Sequence, residues 1–249
     1  MSPRTASLSA TIDRLTLAEE PARWQSLGFA VSGSTVRLGS VLVELVGREA
    51  GRGILGWSLR DVASVELDGL PTTTVNASTP KVDAEANAGT RVDAEPTVSL
   101  NVTVSAKTTP DAEKHANGIV AIDHVVAMSP ELDRSVHALH SAGLDLRRIR
   151  EQPTPAGAPR QAFFRLGEVI LELVQEPDEA LTARGNDRSG PSRFWGLALL
   201  SDDLEQTVAQ LGEHASEIRA AIQPGRQIAT LRRSAGLAIP VALMSRAVA

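Results

Sequence analysis

The feature that most constrains this chain is that it repeats itself. Thr11-Ile12-Asp13-Arg14-Leu15 recurs as Ala121-Ile122-Asp123-His124-Val125, from 11 to 121, an offset of 110. Arg37 to Val46 (RLGSVLVELV) recurs as Arg165 to Val174 (RLGEVILELV), from 37 to 165, an offset of 128. Ile54-Leu55-Gly56-Trp57 matches Phe194-Trp195-Gly196-Leu197 at 140, and Val98, Leu100, Val102 and Val104 echo Leu237, Ile239, Val241 and Leu243 at 139. Four matches in one order imply two copies of one unit. The step from 110 to 128 places extra residues in the second copy, around Pro153 to Pro159. Domains are therefore expected at 8–105 and 118–249, joined by a polar linker at 106–117 that carries Pro110.

Each copy has the same local grammar. In the second, Ile119 to Met128 is apolar and β-branched and reads as a strand. Ser129-Pro130-Glu131 offers a helix N-cap with Pro at the first helical position. Leu132, Val136 and Leu139 then share one helical face, and Gly143 ends it. Leu144 to Ile149 reads as a second strand, and Gln161 to Leu166 with Val169 to Gln175 as a hairpin around Gly167-Glu168. That is β-α-β-β-β. A second round runs from Phe194 through a helix at Asp202 to Leu211, strands at Ile218 to Ile222 and Arg226 to Arg232, and a last strand at Leu237 to Met244. The first copy is thinner, with clear elements at Ala10 to Leu17, Glu19 to Leu27, Thr35 to Leu38 and Val41 to Val46, and a second half beginning at Trp57.

Composition excludes several functions. The chain has 249 residues and 42% hydrophobic content, enough for a packed core. Its net charge of -5 argues against a nucleic-acid or anionic-membrane binder, since those partners select basic surfaces. With no cysteine there are no disulfides, thiolate metal sites or Cys nucleophile. No signal-peptide core and no run of about 20 apolar residues is visible, so a soluble cytoplasmic protein is expected.

A βαβββ unit used twice per domain, opening with Ala121-Ile122-Asp123-His124-Val125-Val126 and closing its first round with Leu171-Glu172-Leu173-Val174, resembles the vicinal-oxygen-chelate superfamily. That is the glyoxalase, bleomycin-resistance and extradiol-dioxygenase group. The resemblance implies an α+β fold of two glyoxalase-like domains, each of paired βαβββ modules forming a curved, cup-like sheet. It also implies metal ligands on the first and last strands of each module, which here are His124 and Glu172, and one divalent metal (Fe, Mn, Ni or Zn). An imidazole and a carboxylate suit those ions. The departures are as informative. The second module offers about Gly196 and Ala242 at the ligand positions, and the N-terminal copy offers Arg14, Glu44, Gly56 and Thr103. A cation held by one His and one Glu needs water, ligand or another chain to complete its shell. Arg14 would repel a cation, so the N-terminal copy reads as degenerate and metal-free.

His124 and Glu172 are thus the candidate catalytic pair, as metal ligands or as an acid/base pair. Glu172 lies between Ile170 and Val174 on one strand face and needs a partner there, because a lone buried carboxylate is costly. Arg160 and Arg165 are candidates to hold an anionic substrate through bidentate pairing, with Phe163 and Trp195 beside them. His137 and His140, at i and i+3, read as solvated, and His115 and His214 carry no argument. Gly51 to Gly56 spells G-x-G-x-x-G, but a strand-like run follows where a dinucleotide site needs a helix.

Three readings follow. One is a metal-dependent lyase, isomerase or dioxygenase acting on a small carbonyl, enol or aromatic compound. The second is a metal-free binding protein of the resistance type. The third is a catalytically dead structural or regulatory module. The expected partner is a small molecule, not nucleic acid or membrane, with a homodimer admitted by all three.

Overall fold

The structure, a computed structural model, describes residues 9–75, 114–153, 157 and 160–247. The expected strand at Val98 to Val104 and the boundary at 105 lie outside them. Two mixed sheets form, and no helix among the described residues is long and apolar enough to cross a membrane. The N-terminal sheet is built from β1 (Thr11–Leu17), β2 (Thr35–Leu38), β3 (Val41–Leu45), β4 (Ile54–Arg60) and β5 (Thr72–Thr74), with α1 (Pro21–Ser26) on one face. Its order is β2-β3-β1-β4-β5.

The C-terminal unit runs β6 (Ile119–Ser129), α2 (Leu132–Ser141), β7 (Asp145–Arg150), β8 (Gln161–Leu166), β9 (Val169–Gln175), α3 (Asp178–Ala183), β10 (Arg193–Ser201), α4 (Leu204–Leu211), β11 (Arg219–Ala220), β12 (Gln227–Thr230) and β13 (Val241–Ser245). Its sheet is ordered β11-β12-β13-β10-β6-β9-β8-β7. The helix cap differs from expectation. Glu131, not Ser129, caps α2, its carboxylate accepting from the Arg134 amide at 2.7 Å. Ser129 is buried at the end of β6, its hydroxyl 2.6 Å from that of Ser135, so it serves the core instead.

The repeats become identical registers. Arg14 lies opposite Leu42 and Thr16 opposite Glu44 across β1 and β3; His124 lies opposite Ile170 and Val126 opposite Glu172 across β6 and β9. Leu15 faces Trp57 and Thr16 faces Gly56, as Val125 faces Leu197 and Val126 faces Gly196. Even the irregularities coincide. Asp13 and Asp123 are each the extra residue of a bulge, as are Leu55 and Trp195. The fourth match is corrected. Pro71 O accepts from the Trp57 amide at 3.1 Å, as Pro240 O accepts from the Leu197 amide at 3.0 Å, so β5 takes the place of β13. Thr73, not Thr103, therefore stands where the C-terminal sheet has Ala242. The chain between β4 and β5 is only residues 61–71, against 202–240 between β10 and β13, too short for counterparts of α4, β11 and β12.

The two units share one continuous core, from Leu15, Trp24 and Trp57 to Phe164, Leu171 and Leu199. Their packing has approximate two-fold symmetry at the hairpin glycines. A Cβ on Gly39 would lie 3.0 Å from Ala121, and one on Gly167 would lie 3.1 Å from Thr11. Both glycines also have positive φ, +61° and +66°, so each serves a tight turn and a close approach together. Polar groups lock the seam. The Asp68 carboxylate accepts from Arg134 Nε at 2.7 Å and from Ser192 at 3.0 Å, and Ser135 also donates to it. Of the expected linker, residues 114–117 are described, and His115 and Asn117 are buried within it. The two ring nitrogens of His115 bond the Ala30 amide and the Arg37 carbonyl, and Asn117 donates to Leu27 O at 2.9 Å. That stretch is therefore a fastener between units.

Candidate functional site

In β6, Ile122 and Val125 both point into the core although three residues apart. Strict alternation cannot do that, so the strand bulges at Asp123, and His124 is placed on the face opposite the core beside Val126 and Met128. On the neighbouring β9, Val169, Leu171 and Leu173 are buried and Ile170, Glu172 and Val174 take the other face, as the alternation predicts. The parallel β6–β9 register then brings the two candidates together. His124 Nε2 lies 3.3 Å from Glu172 Oε2. The other ring nitrogen, Nδ1, lies 2.9 Å from Asp123 Oδ2. Arg226 holds Asp123 from beyond, with contacts of 2.6 and 3.2 Å, and Gln161 Nε2 donates to Glu172 Oε1.

The two carboxyls answer differently to these surroundings. Burial pushes the Glu172 carboxyl above its ordinary value of 4.5, and His124, Gln161 and Arg150 only partly offset this. Burial also acts on Asp123, but hydrogen bonds from His124 and Arg226 outweigh it and leave that carboxyl below its ordinary 3.8. Asp123 thus stays ionised and fixes the imidazole, while Glu172 is the group disposed to keep a proton.

Glu172 opens into a cleft of about 590 Å³. One wall is Arg148, Ile149, Arg150, Glu151, Gln152, Gln161 and Phe163; the other is Ile222, Gln223 and Pro224 from the turn between β11 and β12. Those walls come from opposite ends of the sheet, so it curls into a cup. Of the residues expected at the site, the structure brings together His124, Glu172 and Phe163. The other three do not line the cleft. Arg160 pairs with Asp133 and Glu151, at 2.9 and 2.7 Å. Arg165 bonds the Gly167 carbonyl at the hairpin turn, and Trp195 stands out at its bulge, 47% exposed. Asp123, which contacts His124, and Gln161, Arg148, Arg150 and Ile222, which line the cleft, are not singled out by the sequence.

The donor set limits what metal could sit here. His124 lies opposite Ala198 of β10, which in turn lies opposite Ala242 of β13, so at these register positions the second half of the cup offers only methyl groups. Among the described residues no three His, Asp or Glu side chains converge in a metal-binding arrangement. One imidazole and one carboxylate fit a cation only if a ligand's own oxygens fill the shell. The Gly51–Gly56 segment leads into β4, with Gly56 inside the strand, so it lacks the helix N-terminus a pyrophosphate needs.

No known family's profile matches the sequence, and no curated protein matches it. Among solved structures, a xylose isomerase-like TIM barrel/4-hydroxyphenylpyruvate dioxygenase fusion protein is similar over 100% of this chain, at 15% identity and a TM-score of 0.57. This chain spans 50% of that protein's length. Methylmalonyl-CoA epimerase from Mycobacterium tuberculosis is 18% identical, over 53% of this chain and 91% of its own, with a TM-score of 0.42. The full-length likeness shows the fold alone, and that fold agrees with the glyoxalase-like architecture expected from the repeats.

Proposed function

We propose that the C-terminal cup holds a small carbonyl or enol compound and that Glu172, backed by His124, moves a proton on it. The observation that carries this reading is the 3.3 Å approach of His124 Nε2 to Glu172 Oε2, at the point where Glu172 faces a cleft. Where Nδ1–H is directed at Asp123, a proton held by the His124–Glu172 pair lies between Nε2 and Oε2. It can sit on Glu172, with a neutral imidazole, or on Nε2, with a carboxylate. The two forms carry the same total charge, so an acid and a base are held in one place without a change in net charge. A carboxylate with a raised value, positioned by a neighbour, suits general acid/base work near neutral pH. In the second form Glu172 can take a proton from carbon next to a carbonyl. Gln152 and Arg150 line the same cleft and can donate to the oxygen that gains charge.

A second reading keeps a divalent cation. Asp123 orients His124 in the manner of an outer partner to a metal-bound imidazole. His124 and Glu172 would hold the ion, and it would polarise a ligand oxygen as a Lewis acid.

Deuterium exchange at the enolisable carbon of phenylpyruvate, methyl phenylpyruvate and phenylacetone, followed by NMR, tests the proton-transfer reading. At least one ketone is expected to exchange faster than in buffer, and Glu172→Gln to slow it by about 100-fold or more. Buffer rates throughout would overturn it. Added Mn²⁺ or Zn²⁺ raising the rate, with chelator abolishing it, would favour the cation.

A further inference from the structure

We infer that the ligand is an organic anion whose carboxylate or phosphate is held by Arg148 and Arg150 while its apolar body lies between Phe163 and Ile222. This rests on the cleft being a ligand site, as proposed above, and adds what kind of ligand it takes.

The placement of the two arginines follows from one irregularity. Leu146 pairs with Phe164 and Ile149 with Ala162, so both are on the core face of β7 although three residues apart. The strand accommodates this with a bulge at Arg147, which turns Arg148 beside Phe163 and Arg150 beside Gln161 on the cleft face. Regular alternation would have put both guanidiniums into the core. The guanidinium carbon of Arg148 sits 4.9 Å from the centre of the Phe163 ring, which holds it on the wall. Arg150 is near enough to Glu172 for its charge to act on that carboxyl.

The other arginines near the cup have protein acceptors. Arg160 has Asp133 and Glu151, Arg165 has the Gly167 carbonyl, and Arg226 has Asp123. Among the described residues, no carboxylate lies within 4.0 Å of Arg148 or Arg150 to form an ion pair. Two fixed positive charges on the wall of a concave site concentrate anions there, and a guanidinium matches carboxylate or phosphate bidentately. The opposite wall is apolar at its rim. Ile222 is 59% exposed and Pro224 is close to it, across from Phe163. A cleft of about 590 Å³ is within the ordinary range of small-molecule sites. An anion alone would leave that rim wet, and a neutral apolar compound would leave the arginines without use.

Calorimetric titration of the full chain with phenylpyruvate, methyl phenylpyruvate, phenyl phosphate and inorganic phosphate tests this. Phenylpyruvate or phenyl phosphate is expected to bind about 10- to 100-fold tighter than the neutral ester, and also tighter than inorganic phosphate. Which of the two aryl anions wins identifies the oxyanion. Arg148→Gln and Arg150→Gln should each erase most of the preference over the ester, and Arg147→Gln, exposed on the same strand, should leave it unchanged. An ester that binds as tightly as the anions, a preference that survives both cleft variants in folded protein, or no binding of either aryl anion would overturn the inference. Arginine-dependent anion binding without deuterium exchange would sink only the proton-transfer reading. Exchange of the ester as fast as the acid would sink only the anion preference.

Discussion

The two sheets put the same positions in the same register and obtain different chemistry from them. In the N-terminal sheet the pair is Arg14 and Glu44, joined at 3.1 Å with side chains 40% and 31% exposed. In the C-terminal sheet it is His124 and Glu172, at 13% and 17%. A guanidinium keeps its proton at any working pH, so the first pair is a fixed surface salt bridge. An imidazole can give its proton up, and burial gives its neighbour a reason to take it. The walls differ too. The N-terminal sheet has no counterparts of β7, β11 and β12 among its described strands, so no such pair of walls flanks Glu44 among the described residues. Register and core come from the shared pattern, whereas the proposed site adds one titratable residue and two further edges.

The largest expected effect concerns the seam. If the sheets are one cooperative body, Asp68→Ala should cost about 3 kcal/mol in a urea melt. It strips the acceptor from Arg134, Ser135 and Ser192 at once. Two separate transitions in the parent protein would break the comparison at its root. Next, His124→Ala should cost about 1–3 kcal/mol, because Glu172 loses a buried partner. Arg14→Ala should cost about 0–1 kcal/mol. Equal losses in parallel melts would mean that the two pairs play the same role.

Acid–base linkage sharpens the contrast further. Glu172 lies above its ordinary value of 4.5 when folded, so the folded state holds a proton that the unfolded chain releases. Stability should therefore fall as pH rises from about 4.5 through the folded value. Glu172→Gln should flatten that fall in melts taken across the window. Glu19, buried at the seam and also raised chiefly by burial, should contribute a second share that Glu19→Gln removes. Asp68 works in the opposite direction. Burial raises its carboxyl but Arg134, Ser135 and Ser192 outweigh it, so its contribution is present above the ordinary 3.8 and lost as pH falls. The smallest effect is expected for Arg14→His, within about 0.5 kcal/mol of the parent and without gain of ligand binding. Gained binding there would show that the walls matter less than the pair.

Much of this architecture can be read in the chain before any coordinates. The motifs at 11 and 121, 37 and 165, and 54 and 194 are the residues that share registers, because core-facing positions on paired strands are held to pattern. The pair His124–Glu172 is legible for the same reason. What escapes is local irregularity. Ile122 and Val125, and again Leu146 and Ile149, keep core positions three apart, a spacing that signals a bulge and could have exposed Asp123, Arg148 and Arg150. Arg160 and Arg165 look equivalent to them in sequence. Arg165, however, although on the face of Phe163, sits at the hairpin end and bonds the Gly167 carbonyl. Arg160, just before β8, is taken by Asp133 and Glu151. His115, Asp68 and Glu19 act across the seam, from Ala30 and Arg37 to Arg134, Ala238 and Ile239. Nothing local in the chain announces such distant partners. The short link of residues 61–71 hid β5, since Thr72 to Thr74 carries no apolar alternation.

The difference between the two carboxylates can be measured in one experiment. Deuterium exchange of phenylpyruvate is followed by NMR for the parent, Glu172→Gln and Glu44→Gln, with each variant first shown to be folded. The expected result is exchange well above buffer for the parent and Glu44→Gln, and a loss of about 100-fold or more in Glu172→Gln. Equal rates in all three proteins, or a loss in Glu44→Gln alone, would contradict the assignment of the site to the C-terminal cup.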